Sequence, residues 1–112
     1  MITKNYSTEE PRENPHKVDV RQLYNHESAQ VTHITLKPGE SLKPHRTPVD
    51  VAFYILEGNP MVHIGNETIE CDRDTLVESP ASIIHYLSNK SEINARFLVI
   101  KAPRPEKETR LL

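Results

Sequence analysis

Two histidines, His45 and His85, are the residues of this sequence that most clearly indicate chemistry. Five residues separate Gly39 from His45, four separate Pro80 from His85, and three separate His85 from Asn89. Each histidine therefore follows a short segment whose residues predict a turn leading into an extended strand. The two histidine segments lie about forty residues apart, and a β-barrel can bring such distant side chains together. Convergent imidazoles are the usual start of a metal site.

A two-histidine site is neutral and needs a further ligand to hold a divalent ion, as in sites with two histidines and one carboxylate. Asp50 supplies that carboxylate only if a kink at Thr47-Pro48 shifts the strand register; otherwise it caps the turn after Pro48. His63 is another candidate, unless it simply faces outward from its alternating strand. The candidate ions are iron, manganese, nickel, copper and zinc. The alternative is that His45 and His85 form hydrogen bonds in a cavity that binds an organic ligand directly.

The elements that must position these histidines read as short β-strands. No helical periodicity of useful length occurs, and candidate strands recur every eight to twelve residues with turn residues between them. The segment 49–56 is the most apolar, and we expect a strand buried on both faces. The other predicted strands lie near residues 18–23, 30–36, 61–65, 68–71, 76–77, 83–87 and 97–100. This spacing predicts an all-β sandwich or barrel.

Strand alternation also predicts which side chains line the interior. Thr47 shares a face with His45, and Ile83 shares a face with His85. Phe53 and Tyr54 point to opposite faces, and we assign Phe53 to the pocket. His33 falls on the polar side of its strand, so we expect it to face solvent.

Length and composition set the remaining limits. With 112 residues the chain forms one domain, and 36% hydrophobic residues make a thin core. We therefore expect a homodimer that covers exposed edge strands. The net charge of −2 and the absence of a basic stripe argue against nucleic acid as a partner. No apolar segment approaches ~20 residues, so we expect a cytoplasmic protein without a membrane partner.

The chain divides into three parts by composition. Residues 1–16 are polar and predict a flexible N-terminal arm, residues 17–103 form the single barrel domain, and residues 104–112 are a charged C-terminal tail. Leu111 and Leu112 could dock on a partner subunit. The single cysteine, Cys71, excludes an intrachain disulfide and has no cationic sequence neighbour that would activate its thiol.

The two histidine segments resemble the two motifs of the cupin superfamily, in the same order and at the family's usual separation. The resemblance covers roughly residues 30 to 101. The positions in register are Gly39, His45 and Gly58 in the first motif, and Pro80, His85 and Asn89 in the second. The resemblance implies a cupin-type double-stranded β-helix, a jelly-roll barrel, and a homodimer.

The sequence departs from the family pattern at four positions. In the family, two histidines and a glutamate of the first motif join the histidine of the second around one metal. Thr47 stands in place of one histidine and Val51 in place of the glutamate, so only His45 and His85 remain. Asp74 and Ser82 replace two glycines of the second motif.

Three functions stay open at this point. The first is small-molecule binding in the barrel with a divalent metal on His45 and His85, as in metal-dependent oxygenases or isomerases of the family. The second is a metal-free ligand-binding or sensory module without catalysis. The third is a degenerate cupin that assembles with another protein. The sequence does not decide whether the protein is an enzyme.

Overall fold

The computed structural model describes residues 1–106 and 110–112, and its ten strands confirm the predicted all-β architecture. The strands are β1 Asp19–His26, β2 Ala29–Leu36, β3 His45–Arg46, β4 Val51–Glu57, β5 Met61–Ile64, β6 Glu67–Glu70, β7 Leu76–Ser79, β8 His85–Ser88, β9 Ala95–Lys101 and β10 Arg110–Leu111. They form two five-stranded sheets with the orders β1-β2-β9-β4-β7 and β10-β3-β8-β5-β6. The named strand pairs are antiparallel, as in the jelly-roll barrel that the sequence predicted.

Strand β4 lies inside its sheet, between β9 and β7, and alternates in burial. Val51, Phe53 and Ile55 are buried, whereas Ala52 and Tyr54 on the other face are partly exposed. The prediction that this strand is buried on both faces was therefore wrong for the outer face. Solvent reaches the outer side of an antiparallel sheet that no helix covers.

The core lies between the two sheets. It is built from inward-facing residues of central strands, and Leu36, Ile55, Leu87 and Phe97 are fully buried. Removing one such side chain from water contributes about 1.5–3 kcal/mol. The core thus fixes the relative position of the sheets, and with it the strands that carry the histidines.

Both chain ends contact the barrel. Tyr6 stacks on His33 of β2, and Arg12 donates its backbone N–H to the Val20 carbonyl of β1. At the other end, β10 pairs with β3, with Leu111 opposite His45. The described part of the chain contains no helix with the length and hydrophobicity of a membrane span. Flexibility of residues 1–16 in solution stays a prediction.

Two positions where glycine would be expected keep a glycine-like backbone. Asp74 has φ 69° and Ser82 has φ 66°, both in the left-handed region that residues other than glycine seldom adopt. The family's glycines at these positions are thus replaced without loss of the turn geometry. Ser82 lies in the turn that leads into β8, three residues before His85.

Candidate functional site

His45 and His85 meet inside the barrel, as the sequence predicted. They are direct partners in the pairing of β3 with β8, and their ring centroids are 4.6 Å apart at an interplanar angle of 72°. Both line a cavity of about 220 Å³ between the two sheets. Thr47 and Phe53 line the same cavity, which agrees with their predicted place.

His85 is held at both ring nitrogens. Ser79 Oγ lies 2.7 Å from Nδ1 and Thr47 Oγ1 lies 3.2 Å from Nε2, while the Phe53 ring packs edge-on at 5.2 Å. His85, Thr47 and Ser79 are each 1% exposed. Burial, with smaller contributions from His45 and Lys101, lowers the pKa of His85 from 6.5 to about 3. At neutral pH, His85 is therefore an uncharged imidazole inside a hydrogen-bonded triplet.

The backbone of Lys43 orients two further imidazoles. Nδ1 of His45 lies 2.6 Å from the Lys43 carbonyl, and a carbonyl only accepts, so Nδ1–H donates and Nε2 is the acceptor nitrogen. The Lys43 N–H donates to Nδ1 of His16 at 2.8 Å, so His16 carries its proton on Nε2. The His16 and His45 ring centroids are 5.0 Å apart. Burial lowers the pKa of both, that of His16 to about 4.

The cavity combines apolar walls with nitrogen groups. Its apolar lining comes from five strands and from the segment before β3, and includes Val20, Ile34, Leu42, Phe53, Val99 and Leu111. Lys101 also lines it, and burial lowers the pKa of this ammonium group. Among the described lining residues none is acidic. The electrostatic character of the cavity is therefore neutral to basic.

Three sequence-predicted residues lie elsewhere. Ile83 is 40% exposed and lines an outer groove with Val62 and Cys71, so its assignment to the pocket was wrong. Strand β8 begins at His85, so the strand alternation on which that assignment rested does not extend to Ile83. Asp50 is exposed and accepts the Ala81 N–H at 2.8 Å, bridging to a different turn.

His63, the third of these residues, lies on β5 and does not line the cavity. Its Nδ1 and Nε2 lie 3.1 Å from the Thr68 hydroxyl and 3.0 Å from the Ser88 hydroxyl. Its ring stacks on Tyr86 with centroids 4.1 Å apart. The two ring nitrogens are therefore engaged by neighbours on the same sheet.

Sequence reasoning missed three features of the histidines' surroundings. His16 reaches the cavity from the N-terminal arm, and Ser79, at the end of β7, contacts His85 Nδ1. No local sequence pattern indicates either contact. His33 was expected to face solvent but is 1% exposed, because Tyr6 stacks on it and Arg96 Nε donates to its Nε2 at 3.1 Å. The arm thus covers a face that strand alternation alone assigns to water.

Comparison with known proteins agrees with this geometry. Residues 32–101 match the cupin domain family. TT1209 from Thermus thermophilus is 30% identical, with TM-score 0.80 over 94% of this chain and 100% of its own. An RmlC-like cupin from Methanocaldococcus jannaschii is 25% identical, with TM-score 0.76 over 95% of each chain. The polyketide cyclase RemF from Streptomyces resistomycificus is 18% identical, with TM-score 0.85 over 100% of this chain and 85% of its own.

No curated protein matches the sequence. The jelly-roll barrel and the match over residues 32–101 define a small cupin domain of the cupin-2 type. This chain belongs to the cupin superfamily.

The donor set does not fit the metal that the family implies. In either tautomer of His85, the lone pair of its acceptor nitrogen is occupied by a hydroxyl hydrogen of Thr47 or Ser79. His16 presents a protonated Nε2, which has no lone pair for a metal ion. Of the three imidazoles, only His45 therefore offers a nitrogen lone pair, that of Nε2, for metal coordination. Across residues 1–106 and 110–112, no group of three or more histidine, cysteine or acidic side chains could hold a metal ion.

Proposed function

We propose that this cupin binds a small organic molecule directly in the barrel, without a resident metal ion. The observation that carries the proposal is the contact between Thr47 Oγ1 and His85 Nε2, 3.2 Å apart. Thr47 stands where the family has its second histidine, and its hydroxyl engages a nitrogen that metal ligation would need. The hydrogen-bonded triplet of Thr47, His85 and Ser79 therefore supports ligand recognition by hydrogen bonds and shape, and not by coordination to a metal ion.

The cavity indicates the class of ligand. A volume of about 220 Å³ suits a molecule smaller than most drugs. The apolar walls favour a hydrocarbon or aromatic body, and His16 Nε2–H and His45 Nε2 offer one donor and one acceptor for a polar end. Because no described lining residue is acidic, that end is neutral or anionic and bears oxygen. A phenol can pair with both groups, whereas a short monocarboxylate or a ketone accepts from His16 Nε2–H alone.

The experiment combines elemental analysis with ligand-observed NMR on untagged protein. The probes are a set of short-chain monocarboxylates, phenols and ketones. We expect no stoichiometric metal and saturable binding of at least one probe class. Val20→Phe fills the cavity and should abolish binding. Val18→Phe is the matched control, because Val18 also packs against the core but does not line the cavity.

Three outcomes would overturn the proposal. Stoichiometric metal that is lost in His45→Gln would establish coordination as the function of the site. Failure of every probe to bind, or binding that survives Val20→Phe, would show that the cavity is not a ligand site.

A further inference from the structure

Part of the N-terminal arm lies across the ligand cavity. Asn14, Pro15 and His16 line the cavity together with His45. The arm is held there by the Lys43 N–H, which donates to His16 Nδ1 at 2.8 Å, and by the tilted packing of the His16 ring on His45. His45 is only 7% exposed in this arrangement. The arm therefore covers the histidine that carries the available acceptor nitrogen.

The far end of the arm is anchored on the outer face of the other sheet. The Tyr6 ring stacks on His33 with centroids 4.2 Å apart and an interplanar angle of 10°. The Arg96 guanidinium lies 4.1 Å from the same ring, and Arg96 is itself hydrogen-bonded to His33. Arg21 adds hydrogen bonds from one guanidinium nitrogen to the carbonyls of Tyr6 at 2.8 Å and Glu9 at 3.1 Å.

The arm turns back on itself between its anchor and β1. Asn14 Nδ2 donates to the Val18 carbonyl at 2.8 Å, and Lys17 adopts φ 58°. This turn lets residues before it lie along β1, where Arg12 pairs with Val20. The arm contributes no residue to the buried core cluster, so it can detach while the sheets stay intact.

We propose that residues 1–16 form a lid over the ligand cavity and that the packing of Tyr6 on His33 and Arg96 sets how often the lid opens. Tyr6 is a positioning residue, since it acts on the cavity only through the arm. The use of the lid rests on the proposed ligand-binding function, but its opening can be measured without any ligand.

The probe is diethyl pyrocarbonate, which acylates accessible neutral imidazoles, with initial rates read at each histidine by peptide mass spectrometry. In the wild-type protein we expect slow modification of His45 relative to the exposed His26. Tyr6→Ala should raise the His45 rate about tenfold, which is the effect expected from losing one stacking and one cation–π contact. Tyr6→Phe keeps the ring and should react like the wild type.

A second readout separates lid opening from general loosening. Cys71 is 5% exposed and lines the outer groove, to which the arm does not contribute. Its reaction with a disulfide reagent should be unchanged in Tyr6→Ala. Equal His45 rates in wild type and Tyr6→Ala, or parallel acceleration at Cys71, would overturn the lid. A negative ligand screen would leave this result intact, so the two proposals fail separately.

Discussion

The hydroxyl of Thr47 lies 3.2 Å from Nε2 of His85, and both side chains are 1% exposed. Ser79 engages the other ring nitrogen at 2.7 Å. One of these hydroxyls donates and the other accepts, because a neutral imidazole has one nitrogen of each kind. A single substitution relative to the family pattern thus converts a potential metal ligand into a member of a buried hydrogen-bond network.

Thr47→His should restore metal binding. The change frees His85 Nε2 from the threonine hydroxyl and places three imidazoles, from residues 45, 47 and 85, at one site. We expect about one Zn²⁺ per chain to survive dialysis, since three histidines are a sufficient protein ligand set for zinc. Thr35→His, on the opposite face of β2 from the cavity-lining Ile34, is the control and should retain none. Equal zinc content in the two variants would contradict this account of the site.

Acid should destabilise the fold through His85. Its pKa is about 3 in the folded protein against 6.5 when unfolded, so between these values the unfolded chain binds more protons. Stability is therefore lost as pH falls below 6.5, by about 2 kcal/mol from this residue at pH 5. His85→Asn should lower stability at pH 8 yet show a loss between pH 8 and pH 5 that is smaller by that amount. Urea unfolding at both pH values measures it, with His26→Asn as the control.

The barrel and its central histidine pair were predictable from local pattern. Turn residues and the alternation of apolar and polar residues indicate the strands. The two histidine segments place His45 and His85 on strands that pair in the structure. Thr47 and Phe53 followed from the same alternation. Alternation works here because His85 and Phe53 lie on strands and Thr47 directly follows β3, while the core fixes which face points inward.

The remaining features depend on contacts that no local pattern encodes. His16 reaches the cavity through the fold of the arm, and Tyr6 buries His33 by packing on a strand that is distant in sequence. Ile83 was misplaced because it lies in the segment between the Ser82 turn and β8, which begins only at His85. Contacts between residues distant in sequence, and residues with positive φ, are set by the tertiary structure. A prediction made strand by strand from a single sequence therefore does not reveal them.

The protein should form a homodimer in solution. Ile69 on β6 and Leu76 on β7 are 57% and 52% exposed, and these two strands end their respective sheets. Exposed apolar edges are usually covered by another chain. Light scattering at tens of micromolar should give about twice the 12.9 kDa chain mass, and Ile69→Lys should shift the mass towards that of one chain. A monomeric wild-type protein would rule out this assembly.

Gly58 should tolerate substitution less well than Gly39. Both have positive φ, 76° and 85°, so alanine strains the backbone at either position. A Cβ at Gly58 would also come within 2.6 Å of the Asn94 carbonyl oxygen, whereas a Cβ at Gly39 meets nothing within 4 Å. We expect Gly39→Ala to cost about 1 kcal/mol and Gly58→Ala about 3 kcal/mol in the free energy of unfolding. Equal losses in urea unfolding would contradict the steric argument.

Ser82→Gly should stabilise the protein. Ser82 is exposed and holds φ 66°, a conformation that costs an L-residue roughly 1–2 kcal/mol. Glycine removes that cost but adds unfolded-state entropy worth about 0.5–1 kcal/mol, so a net gain of about 0.5–1 kcal/mol remains. Ala81→Gly is the matched control, since its neighbouring backbone lies outside the left-handed region and it should only lose stability. A loss of stability in both variants would show that Ser82 supports the turn before His85 by something other than its backbone conformation.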